Sequence, residues 1–454
     1  MRISRIDYAA GAVSGVLIAL ALATILAADL DSARVLEVGP RGNDVGPFSP
    51  LVVRFAQPML DASVSRRLTV SPPSAGRLEW RAAEARFFPN LPWPAGAEVR
   101  ARLEAGALSA DLRRVEAARE WSFVVRQPSL IYLSPVVGQP EIWRQSFEPG
   151  SGQSVQLTHT QGGVMDFAPS PDGERIAYTR SNEQGGSDLW VIDRSGSDPR
   201  PVVDCGPDLC WGPAWSRTEP RLAFARETAG LAPGTPSSAP RIWILELQTG
   251  SATPLYPPDS NVIGFDPSWS PDGTRLAFYD GNAPGIRVLD WNSREEIVLP
   301  SNNGVGASWS PDGQVLFFTG LSQFGPSVSV TVYRFSFLDK AATAFLAPDD
   351  GGRDYGLPAV SPTGDQVLLA ALTPSSVGKQ LVVVDAAGSS RRTLAPEPGS
   401  IHGGYQWDPW GTWVVFQRFP LLTPEPTPAV YVVPSGGGEP RLIAEGAYRP
   451  AWLP

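Results

Sequence analysis

A short turn phrase that recurs six times after residue 165 sets the narrowest limit on what this chain can fold into. It stands intact as Ser170-Pro171-Asp172-Gly173, Ser270-Pro271-Asp272-Gly273 and Ser310-Pro311-Asp312-Gly313. Altered copies are Ser216-Arg217-Thr218-Glu219, Ser361-Pro362-Thr363-Gly364 and Asp408-Pro409-Trp410-Gly411, and successive copies begin 40 to 54 residues apart. Pro presets φ at the second turn position, Asp or Thr bonds the neighbouring backbone, and Gly accepts φ > 0. A repeat of this length predicts stacked supersecondary units, none of which can bury its apolar face alone.

Each turn is flanked by short runs rich in β-branched and aromatic residues. The run entering it ends in Trp215, Trp269, Trp309 or Trp407, with Val360 in the fifth unit. The run leaving it reads Arg175-Ile176-Ala177-Tyr178, Arg221-Leu222-Ala223-Phe224 or Arg275-Leu276-Ala277-Phe278. A third run and a weaker fourth complete each unit, which predicts four antiparallel strands, the make-up of a propeller blade. The stretch from Tyr448 to Trp452 reads as a first strand without a turn. Leu130-Ile131-Tyr132-Leu133, Glu141-Ile142-Trp143-Arg144 and Val155-Gln156-Leu157 read as the other three strands of one shared blade. Joining them closes the ring without a free edge. The expected fold is therefore all-β, with a seven-bladed β-propeller; six blades is the alternative if the N-terminal remnant stands outside the ring.

The Trp-Ser-Pro-Asp-Gly turn followed by Arg-Leu-Ala-Phe and an aliphatic strand resembles the TolB-like (WD-repeat-like) β-propeller family, over residues 128–454. Pro169, Arg217-Thr218-Glu219, Thr363 and Trp410 depart from the pattern. The resemblance implies a propeller that can precede a peptidase domain; the sequence ends with the propeller, so no such domain is expected here.

Two other segments are expected before the propeller. Residues 1–32 hold an uncharged apolar run at 8–28 behind Arg2 and Arg5, long enough to span a bilayer with its N-terminus in the cytoplasm. A cleaved signal peptide is the rival reading; no Cys follows the run, so a lipoprotein anchor is excluded. Residues 33–127 contain strand-like runs such as 51–55, 67–70 and 121–125, predicting a β-sandwich. The order Phe55-Ala56-Gln57-Pro58-Met59, Gly76-Arg77-Leu78-Glu79-Trp80, Phe87-Phe88-Pro89, Trp121-Ser122-Phe123 resembles bacterial Ig-like domains of cell-surface proteins, which implies a spacer or adhesive module. The expected location is the bacterial cell membrane, single-pass, with residues after about 30 extracytoplasmic.

The chain carries 37 basic and 46 acidic residues. Basic residues slightly outnumber acidic ones up to residue 127, so the acidic surplus belongs to the propeller. That argues against nucleic acid as a partner, because phosphate binding needs clustered Lys and Arg. Cys205 and Cys210 are the only cysteines; in an exported domain they are expected to form a loop-closing disulfide, since two thiols without a nearby His make half a zinc site.

Catalytic motifs are missing: no Gly-x-Ser-x-Gly, no His-Glu-x-x-His, no phosphate-binding Gly-rich loop with Lys, and no calcium loop of alternating Asp. Both histidines, His159 and His402, fall in links between blades, as do Asp166, Asp266, Asp349, Asp350 and Asp354. These seven residues are the expected ligand-binding face; the plain alternative is that Asp makes turns. No cofactor is expected, a divalent cation being the one the acidic links would suit, and the metal is unknown. The expectation is a non-enzymatic, membrane-anchored scaffold whose propeller engages an envelope protein, peptide or polymer. The alternative is a metal-assisted hydrolase or lyase working in the channel.

Overall fold

The computed structural model describes residues 32–147, 153–232, 235–349 and 351–454. The chain divides after Arg126 into two compact units. The apolar run at 8–28 lies outside the described residues; among the described residues no helix is long and apolar enough to cross a membrane.

Among its described residues the first unit contains strands β1 (Val35–Gly39), β2 (Gly42–Val45), β3 (Leu51–Phe55), β4 (Leu68–Ser71), β5 (Gly76–Arg81), β6 (Glu84–Pro89), β7 (Glu98–Leu103) and β8 (Arg119–Val125), with one five-residue helix, α1 (Asp61–Ser65). They form two sheets, ordered β1-β3-β6-β5 and β2-β8-β7-β4. In β7 exposed charged residues alternate with buried Val99, Ala101 and Leu103, the period-2 pattern of a sheet with one wet face. Those residues share a core with Val53, Phe55, Trp121 and Phe123, so the unit is a β-sandwich. Its two buried indoles are satisfied by backbone carbonyls: Trp93 donates to Ser49 at 2.9 Å and Trp121 to Gly39 at 3.1 Å.

The second unit is built of four-stranded antiparallel meanders. Five are separate sheets, and two more share one sheet through a single parallel bridge, Ser187↔Leu209. Their first strands, Val164–Pro169, Leu209–Trp215, Gly264–Trp269, Ser308–Trp309, Ala359–Val360 and Ser400–Trp407, are followed around the ring by Tyr448–Leu453. That last strand pairs antiparallel with Ser129–Ser134 from the start of the unit and lies against Val164–Pro169. First and last strands thus meet, and no meander is left with an open inner edge.

The recurring turn works as its residues predict, with one addition. Ser170, Ser270 and Ser310 each donate through Oγ to the Asp two residues on, at 2.6, 2.5 and 2.5 Å. Each Oγ also accepts the N–H that opens the second strand, at 2.9 Å in all three cases. In the fifth copy Asp365 replaces the missing turn Asp, accepting from Ser361 at 2.9 Å. In the sixth, Asp408 takes over the Ser role and accepts from the N–H groups of Thr412 and Trp413. The altered copies therefore keep the turn by other donors.

Recurrence of Trp and Arg around these turns has a packing cause. Trp215, Trp309, Trp407 and Trp452 each donate their indole N–H to a carbonyl of the preceding first strand, at 2.9, 3.1, 2.9 and 3.3 Å. The Arg that opens the second strand lies over an aromatic ring of the next meander: Arg175 over Trp215 at 5.1 Å, Arg221 over Trp291 at 4.4 Å and Arg275 over Phe337 at 4.3 Å. Pro169 and Val360 have no indole to donate, and the indole nitrogen of Trp269 is buried without a hydrogen-bond partner. At the second gap Ser308 Oγ donates to the carbonyl of Pro358 instead.

Cys205 and Cys210 are joined by a disulfide, and both are buried. The closed loop carries Asp208, which pairs with Arg226 at 2.8 Å and accepts the N–H of Ala229 at 2.9 Å. Replacing both cysteines by Ala is expected to lower stability by about 2 kcal/mol, the loop-closure entropy of so short a ring. Urea denaturation tests this; an unchanged midpoint would show that Asp208 and its partners hold the link unaided.

Candidate functional site

When the first strands are aligned on Pro169, Trp215, Trp269, Trp309, Val360, Trp407 and Trp452, one position falls three residues before each, just ahead of the two-residue strands Ser308–Trp309 and Ala359–Val360. It is occupied in turn by Asp166, Gly212, Asp266, Gly306, Leu357, Gly404 and Arg449. At four of these the backbone is left-handed: Gly212 (φ 63°), Asp266 (53°), Gly404 (53°) and Arg449 (50°). The strand register slips around each of them, the mark of a β-bulge. A bulge re-aims a side chain, and the left-handed position within it favours Gly. Asp266 and Arg449 occupy it at a cost of about 1–2 kcal/mol each, so charged residues stand where Gly would be the relaxed choice.

The charges lie together on consecutive parts of the ring. Arg449 pairs with Asp166 at 2.8 Å, their side chains 51% and 25% exposed, and also donates to the Met165 carbonyl at 2.8 Å. Asp166 accepts from the Phe167 N–H at 2.8 Å and from the backbone of Gly212 on the next strand. Asp266 likewise accepts from the backbone of Gly306 on its own next strand. A Cβ on Gly306 would stand 3.1 Å from the Asp266 Cβ, so Gly is what lets the carboxylate reach across.

Both carboxyls are held above the usual Asp range. For Asp166 the cause is displaced solvent, opposed by Arg449; for Asp266 it is displaced solvent reinforced by the negative charge of Asp166. Asp266 remains in contact with water, which fits a carboxylate lining a narrow aqueous channel rather than one sealed in a core. Among the described residues no cation lies within ion-pair distance of it, though the charge of Arg449 and the Gly306 backbone partly offset the rise. The site thus holds two carboxylates against one guanidinium, which pairs with Asp166 and acts on Asp266 from farther off.

The other residues expected on this face go elsewhere. His159 is exposed in the link that precedes the first full meander. Asp349 is taken by Arg391, at 2.8 and 3.1 Å, and by the N–H groups of Gly351 and Gly352. Asp354 bonds Ser329 through its N–H and its carboxylate. Asp350 lies outside the described residues. His402 is 1% exposed: its Nδ1 accepts the Leu381 N–H at 3.3 Å and its ring lies 5.0 Å from Phe416. It is a packed side chain between strands, not part of an open face. Arg449 was missed because it was read only as strand; aligning the last run on Trp452 brings it level with Asp166 and Asp266.

Among the described residues no group of three or more His, Cys, Asp or Glu is placed to hold a metal ion. The arrangement suits a different chemistry, an ammonium or guanidinium group seated at Asp266 and oriented by the Asp166–Arg449 pair. That pair has a structural side as well. It bridges the gap where Pro169 lacks the indole that fastens four of the other first strands to their neighbours.

No protein-family model matches the chain. It is 26% identical over 213 residues to an uncharacterized peptidase, YuxL, of Bacillus subtilis (strain 168), a match covering 46% of this chain and 29% of that protein. The chain therefore spans less than a third of this curated relative. Solved structures of similar fold include oligogalacturonate lyase from Vibrio parahaemolyticus (TM-score 0.50, 14% identity, 67% of this chain and 85% of that one). TolB from Acinetobacter baumannii also aligns (TM-score 0.43, 14% identity, 93% and 99%). The recurring turn, the ring of first strands and the terminal strand that closes it make the second unit a β-propeller.

Proposed function

We propose that this chain is a membrane-anchored, extracytoplasmic binding protein of the bacterial envelope, whose seven-bladed propeller engages a protein, peptide or polymer at its channel. In this reading residues 8–28 hold it in the bilayer and an Ig-like sandwich acts as spacer. The observation that carries the binding role is Asp266. It is a carboxylate held at a left-handed bulge of a first strand, close to a second carboxylate and with Arg449 only beyond ion-pair distance. A strained charged residue of this kind is more readily explained by a ligand than by packing. The favoured partner carries a basic group, a lysine or arginine side chain or a free amino terminus, and the acidic surplus of the unit would draw it in.

A library of random peptides with free amino termini, selected against the immobilised protein, tests this reading. Enrichment of basic residues or of an unblocked terminus is expected, with loss of the enriched binders on Asp266→Asn. Weakening should be at least tenfold, since an ion pair in a partly desolvated site contributes about 1.5–3 kcal/mol. Selection of peptides with no basic feature, or binding indifferent to Asp266→Asn, would sink it.

A further inference from the structure

One hairpin of the propeller is longer than the rest and carries its faces the wrong way round. Strands Val315–Phe324 and Ser327–Ser336 have ten residues each, against six to eight for their counterparts in the other meanders. The sheet's fourth strand reaches only as far as Val332, opposite Leu346, and its first strand pairs only with Leu316 and Phe317. From about residue 320 to 331 the hairpin therefore continues as a two-stranded ribbon. On that ribbon Ser329 and Thr331 are 3% exposed, with Ser329 tied to Asp354 and Thr331 to Ser322. Its apolar residues face outward instead: Leu321 is 42% exposed and Val328 60%.

The backbone says what could cover this face. Leu321 donates its N–H away from the hairpin, to Asn302 Oδ1 at 2.8 Å. It and its opposite residue Val330 thus form a non-hydrogen-bonded pair. Val330, and Val328 two residues before it, must then point their N–H and C=O groups to the outer edge. Among the described residues these groups have no backbone partner. Such an edge is ordinarily blunted by charged side chains, yet no charged residue occurs between Val315 and Tyr333.

We propose that this edge pairs with the same edge of a second copy of the chain. The pattern Val328-Ser329-Val330 is self-complementary. A two-fold axis through Ser329 sets Val328 of one copy opposite Val330 of the other, twice, so that each outward N–H and C=O gains a partner and the exposed Val328 pairs across the strands with the half-buried Val330. Two chains each of net charge −9 repel over most of their surface, and the uncharged ribbon is where they can meet. The paired stretch is short, so the dimer is weak and concentration-dependent.

The test is hydrogen exchange of the full chain in detergent micelles at rising protein concentration, with sedimentation velocity alongside. Slower exchange at the Val328 and Val330 amides, in step with dimer formation, is the expected result. Val328→Pro, which removes one outward donor at an edge position that tolerates Pro, should abolish both effects. Val330→Lys should do the same by charge, and guards against a misfolded Pro variant. A monomer at all concentrations, or a dimer that survives both substitutions with the two amides exchanging freely, would overturn the proposal and leave the edge to another protein's strand or to no partner.

Discussion

Deleting residues 448–454 is expected to abolish the cooperative melt of the propeller, not merely to lower its midpoint. This strand supplies the inner layer of the closing meander. Ala451 and Trp452 are 4% exposed and Leu453 is fully buried. Trp452 packs edge-on to Phe147 at 5.0 Å and fastens the ring to the preceding strand through Gln406. Losing one buried Trp costs about 3–5 kcal/mol and one buried Leu about 2–5. The strand's removal would also uncover Leu130, Ile131 and Leu133, now fully buried, and break the Arg449–Asp166 pair. The sum reaches the whole stability of an ordinary domain, about 5–15 kcal/mol. Near-UV circular dichroism on heating should show no sigmoidal transition for this unit. A synthetic peptide of residues 447–454 added in trans should restore part of it. A truncated chain that melts cooperatively near the parent midpoint would show that closure is not what holds the ring.

The legible part of this fold was the part whose chemistry is local. Ser-Pro-Asp-Gly makes its turn with its own atoms, so it announces each unit, and the altered copies stay readable because Asp365 and Asp408 sit within reach of the same backbone. The closing strand was legible because Tyr448 to Trp452 repeats the pre-turn pattern. Features that depend on what lies across a strand were not. His402 was placed on an open face because it falls in a link by sequence, whereas its burial is decided by Phe416 on the adjacent strand and Leu381 of the neighbouring meander. Asp349 and Asp354 are consumed by Arg391 and Ser329, from other strands. Asp166 and Asp266 were chosen by residue type; what brings them together with Arg449 is a bulge, and only a comparison of all seven first strands reveals it. The long ribbon at residues 320–331 escaped for the opposite reason, since an uncharged β-branched run does not say where its sheet ends.

His402 makes the propeller acid-sensitive, and the sign follows from its surroundings. Burial, with the like charge of Arg418, drives its pKa down from 6.5 to about 3. The folded chain therefore holds the ring neutral until about pH 3, while the unfolded chain protonates it near pH 6.5. Between those values the unfolded state binds the extra proton, so stability falls as pH falls. It is complete above pH 6.5 and declines by about 1.4 kcal/mol per pH unit below it, or about 3 kcal/mol by pH 4. Asp166 and Asp266 act in the other direction. Their pKa values are raised on folding, so they favour the folded state at low pH and oppose it as pH rises through their folded values. A comparison with His402→Gln cancels that opposing contribution, because both proteins keep the carboxyls. Urea denaturation at pH 7 and pH 4 should show the parent losing about 3 kcal/mol more than the variant. If the two proteins lose stability in parallel, His402 takes up its proton in the folded state near its ordinary pKa, and the burial described for it is wrong.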